Sequence, residues 1–80
     1  MKENRRTTAD YLIVALQHLR YCEEHFNNTR TAYMAEYRRS EQSATTVQLR
    51  TAMNAADVAL RDAYKRVEHR YELLHALRPL

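Results

Sequence analysis

Large apolar residues return along this chain at alternating steps of three and four, the spacing that stacks side chains on one face of an α-helix. In the first half the stripe runs Leu12, Leu16, Leu19, Phe26, Tyr33 and Tyr37, and Glu23 and Arg30 occupy the two places it skips. In the second half it runs Leu49, Met53, Ala56, Leu60, Ala63, Val67, Arg70, Leu74 and Leu77. Between them lies SEQSATT, residues 40–46, dense in hydroxyls and without a bulky apolar side chain. The pattern predicts an all-α chain: one long, coiled-coil-like antiparallel two-helix hairpin forming a single domain. Its expected parts are a flexible tail over 1–7, a helix over 8–39, a turn over 40–45 and a helix over 46–78.

Local signals support those bounds. Thr7 followed by Asp10, and Thr45 followed by Gln48, resemble capping boxes, in which a hydroxyl accepts an orphan amide at the start of a helix. Pro79 marks the far end, because a proline cannot continue the hydrogen-bond ladder. Asn27-Asn28-Thr29 is a run of weak helix formers, but the stripe resumes in register beyond it, so the helix is expected to continue through. A hairpin folding about residue 43 sets Leu12 opposite Leu74, Leu19 opposite Val67, Phe26 opposite Leu60, Tyr33 opposite Met53 and Tyr37 opposite Leu49. Glu23 and Arg30 then fall opposite Ala63 and Ala56, which leaves their long side chains room to turn into solvent.

Composition sharpens this picture. The 80 residues include no glycine and one proline, so the usual punctuation of loops and sheets is missing. A chain this short buries only a modest share of its surface alone, and both helices carry apolar residues beyond one seam. Tyr11, His18, Cys22 and His25 form a second line on the first helix. Ala52, Ala55, Ala59, Leu73 and Leu77 widen the apolar arc of the second, and Tyr64 and Tyr71 stand on its flank. These residues are the expected partner interface, and a four-helix bundle, reached by dimerisation or by binding another protein, is the expected outcome.

The mean hydropathy is −0.74, and no apolar run approaches the roughly 20 residues needed to span a bilayer. YLIVAL after a basic start looks superficially like a secretory leader, but it is short and is followed by Gln17, His18 and Arg20 rather than small residues. It reads as part of the first helix. One cysteine allows no internal disulfide, which points to a cytoplasmic protein. The net charge of +3 comes mostly from arginine, and the arginines interleave with Asp57, Asp62, Glu68 and Glu72 instead of gathering into a stripe.

His18, Cys22 and His25 are the sharpest chemical candidates, since imidazole and thiolate suit zinc or copper and the spacing keeps them on one face, with Glu68 expected across the hairpin. Three ligands on one straight helix seldom converge on a tetrahedral centre, so the expectation is an interface seam, with no metal and no cofactor. His69, Glu72 and His75 read as solvated surface. There is no glycine-rich loop for phosphate and no nucleophile beside an evident base, so enzyme activity is not expected. The functional expectation is a non-enzymatic helical protein–protein interaction module: an adaptor, chaperone, inhibitor or assembly factor. The alternative is a small dimeric nucleic-acid-binding regulator that gathers arginines on a composite face.

Overall fold

Two short polar side chains start the two helices. The computed structural model describes residues 4–77, and in it α1 spans Arg5–Arg39 and α2 spans Ala44–Ala76. Asn4 sits in extended backbone, and its Oδ1 accepts the Thr7 amide at 2.9 Å. Ser43 does the same for α2, its Oγ accepting the Thr46 amide at 3.0 Å. Each such cap is worth about 1 kcal/mol. Both caps lie upstream of the expected ones, so α1 begins at Arg5 rather than residue 8 and α2 at Ala44 rather than 46. Asn and Ser accept as well as Thr does, and the first helical turn tolerates polar residues, so an apolar stripe understates where a helix begins. The expected stop at Pro79, the last residue of the expected second helix and the first three of the expected tail lie outside the described residues.

The turn is therefore Ser40 to Ser43, tighter than the expected 40–45. Thr46, fully buried, donates its hydroxyl proton to the Ser40 carbonyl. The Ser43 hydroxyl, 2.8 Å from Thr46 Oγ1, must then donate to it, since Thr46 has no second proton to give. This chain of hydrogen bonds closes the tip without glycine. α1 runs unbroken through Asn27-Asn28, as its resumed register implies. There Thr29 and Thr31 turn their hydroxyls back to the carbonyls of His25 and Asn27, at 2.8 and 2.9 Å.

The two helices pack against each other, and the seam on α2 follows the expected stripe. The seam on α1 does not. Leu12, Leu19, Phe26 and Tyr33 face α2, but their companions are Ala15, Cys22, Thr29 and Glu36, not Leu16, Glu23, Arg30 and Tyr37. Leu19 is 8% exposed and Cys22 5%, while Leu16 is 47% exposed. Steric fit decides between the two columns. Ala56 and Ala63 on α2 are buried, and small residues facing them let the helix axes approach closely, whereas Leu16, Glu23 and Arg30 would wedge them apart and desolvate two charges. The core is Leu19, Cys22 and Ala63, with Leu60 and Val67 packed against it.

Across the open end, the Arg5 guanidinium donates to the carbonyls of Leu74 and Leu77 at 3.4 and 3.3 Å. A cation there satisfies orphan acceptors at the negative end of α2. The result is a two-helix rod of 60 × 17 × 15 Å. Among the described residues, no helix is long and apolar enough to cross a membrane.

Candidate interaction surface

The seam divides the rest of each helix into two flanks. Tyr64 donates its hydroxyl to Glu23 Oε1 at 3.3 Å, which places the Glu23 flank of α1 beside the Tyr64 flank of α2. By the heptad geometry of an antiparallel pair, that flank holds Leu16, Glu23, Arg30 and Tyr37 together with Arg50, Asp57, Tyr64 and Tyr71. The opposite flank holds Tyr11, His18, His25 and Ala32 together with Ala52, Ala59, Arg66 and Leu73, with Ala55 at its outer edge. Of the expected interface residues, Tyr11, His18, His25, Ala52, Ala55, Ala59 and Leu73 thus share one flank. Tyr64 and Tyr71 lie on the other. Leu77 sits at the end of the seam, half-buried, as the residue that ends α2. Cys22 is corrected: it belongs to the hairpin core, because the small-residue column that meets Ala56 and Ala63 runs through it.

The first flank is charged, and its groups already engage one another. Arg50 lies 5.7 Å above the Tyr33 ring and its Nε donates to the Tyr33 hydroxyl at 3.3 Å. Tyr33 and Tyr37 stack at 5.8 Å with an interplanar angle of 14°. The Glu23 carboxylate beside Tyr64 pushes its phenol above the ordinary 10.0, with desolvation and the hydrogen bond acting in the same direction. Glu41 raises Tyr37 likewise, by charge and by hydrogen bonding. Asp57 pairs with Arg61 at 3.2 Å.

On the second flank, His18 Nε2 lies 3.6 Å from Cys22 Sγ, while His25 stacks on Tyr21 at 6.2 Å with the rings within 3° of parallel. The three residues therefore do not converge, and Glu68 stands on the outer side of α2, next to the seam residue Val67 but not in it. Among the described residues, no group of three or more His, Cys, Asp or Glu side chains is placed to hold a metal ion. Arg70, a seam residue, lies 4.6 Å above the Tyr11 ring, a cation–π contact that covers one face of that tyrosine. His75 meets Tyr71 edge-on at 4.5 Å.

Arginine, the residue type behind the nucleic-acid alternative, is spread over several contacts of the hairpin. Arg5 caps α2, Arg50 and Arg70 lie on tyrosines, and Arg20, Arg39 and Arg61 pair with Glu24, Glu36 and Asp57. Arg30 and Arg38 line an open hollow on the back of α1 with Asn27, Thr31, Met34 and Ala35.

Several apolar residues that the seam pattern passes over are exposed: Ile13, Val14, Leu16, Met34, Val47 and Val58. A signal for the first three was present. Six consecutive apolar residues, Tyr11 to Leu16, advance 100° per residue around a helix and cannot all reach one seam. The apolar surface is thus densest in the open half of the hairpin, where Tyr11 to Leu16 lie beside Tyr64, Tyr71 and Leu73. Comparison with protein-family models, with curated proteins and with solved structures gave no match to this chain.

Proposed function

We propose that this chain is a non-enzymatic helical protein–protein interaction module that completes its core by accepting further helices, forming a four-helix bundle with whatever supplies them. One observation carries the reading. The side chains buried in the hairpin are small or few, namely Leu19, Cys22, Ala56, Ala63 and two threonines, while Tyr11, Ile13, Val14, Leu16, Tyr64 and Tyr71 stand in solvent. Soluble domains are built from packed layers around a shared core, and this one is a single layer of two helices. Contiguous apolar surface on such a layer marks a contact site.

The test is made on the isolated chain. At sub-micromolar concentration it is expected to bind an apolar dye such as ANS, and to melt at a midpoint that rises with its own concentration or with an added binding protein. A sharp melt above about 60 °C at every concentration, with no dye bound, would overturn the reading.

A further inference from the structure

We infer that the helices completing this bundle come from a second copy of the chain, seated end for end on the flank that carries Tyr11, His18 and His25 on α1 and Ala52, Ala59 and Leu73 on α2. This rests on the proposed function and adds the identity, the face and the direction of the partner.

Area is the first argument. A compact monomer of 9.5 kDa exposes about 5,000 Å², whereas this chain exposes 6570 Å². A compact particle of twice the mass exposes about 8,400 Å², so two such rods reach ordinary compactness by burying about 4,800 Å² between them. That lies within the range of obligate homodimers, which bury roughly 2,000–5,000 Å². A second copy also supplies two helices of matching length, 35 and 33 residues, so the chosen flank is covered along the 60 Å rod.

Charge selects the face. The opposite flank carries Glu23, Arg30, Arg50 and Asp57 along its middle, and covering it would desolvate all four. The chosen flank has no Asp, Glu, Lys or Arg at its α1 positions Tyr11, His18, His25 and Ala32; on α2 it has Arg66, and the seam residue Arg70 reaches its edge over the Tyr11 ring, so it holds fewer charges than the opposite flank.

Relief sets the direction. This flank is bulky toward the open end, at Tyr11, His18 and Leu73, and shallow toward the turn, at Ala32, Ala52 and Ala59. Turning a second copy end for end about the rod's midpoint, near Cys22, lays Tyr11 over Ala32 of the second copy and His18 over its His25, so large side chains meet small ones at both ends. The same-direction arrangement stacks Tyr11 on Leu73, large on large, which parts the layers at the open end. A two-fold axis makes each favourable contact twice.

Light scattering at about 100 µM is expected to give twice the 9.5 kDa chain mass. On the native chain, Ala59→Arg is expected to weaken the dimer by roughly tenfold or more, and Asn54→Arg, on the outer side of α2, to leave it unchanged. Direction is read with a short bismaleimide in a Cys22→Ser background. Tyr11→Cys and Ala32→Cys variants are expected to cross-link when mixed and not when alone, because like positions then lie about 30 Å apart. Self-linking of either variant, or linking of Tyr11→Cys to Leu73→Cys in preference to Ala32→Cys, would overturn the arrangement. Equal weakening by Ala59→Arg and Asn54→Arg would overturn the face. A monomer that still binds ANS would overturn the second copy while leaving the interaction module standing, and a stable monomer that binds none would overturn both.

Discussion

Leu16 and Leu19 are the same residue type three positions apart on one helix, yet one is half in solvent and the other is core. Their difference locates the seam experimentally. Leu19→Ala is expected to lower stability by about 2–4 kcal/mol through lost burial and a residual cavity. Leu16→Ala should change hairpin stability by no more than about 0.5 kcal/mol. Urea denaturation of the two variants under dilute conditions checks this, and losses of similar size at the two positions would restore the expected stripe. Tyr64 offers a second test. Its phenol is held protonated by Glu23, so its folded value stands above the unfolded one. The associated stability is fully present below the ordinary tyrosine value of 10.0 and is lost as pH rises through the folded value. The urea midpoint should fall as pH rises past about 10, and Tyr64→Phe should reduce that fall. Because Tyr37 shifts in the same direction beside Glu41, the fall should shrink without vanishing.

For the two helices, period carried nearly all the information that the chain offers. Alternating steps of three and four on α2 named its buried face residue by residue, even at Ala63 and Arg70, beside which Tyr64 and Tyr71 stand exposed. On α1 the same rule was ambiguous. Leu12, Leu19, Phe26 and Tyr33 form one column, and the second could lie three or four residues on. Size favoured Leu16 and Tyr37, but complementarity to the alanines of α2 favoured Ala15 and Cys22, and complementarity belongs to the pair, not to one helix read alone. Helix starts were misplaced for a related reason, since Asn4 and Ser43 cap through hydrogen bonds that leave no apolar trace. The flanks of the candidate surface were legible once the seam was known, while Ile13 and Val14 required asking what a seam fails to cover. The tip supplies the element-scale prediction. Thr46→Val keeps the shape and removes the proton given to Ser40, so it should cost about 1–3 kcal/mol and speed amide exchange around the turn, whereas Thr45→Val, at an exposed site, should not.

At the scale of the molecule, a two-helix rod of 60 × 17 × 15 Å has almost no residue far from solvent, so any layer laid against it would add to its stability. Arg5 on the α2 carbonyls and Arg70 over Tyr11 hold the open end, and the Ser40–Thr46 chain holds the tip. Between these clamps lies Cys22, the one thiol of the chain, covered in the seam near the midpoint of α1. A thiol reagent can reach it only when the helices part there, so its labelling rate is a built-in clock for breathing of the rod's centre, needing no added probe. Under weak reagent the rate reports the equilibrium of opening, and under strong reagent the frequency of opening. A layer laid over the hairpin slows the clock in proportion to how firmly it grips. The protein thereby carries its own gauge of whether it is alone.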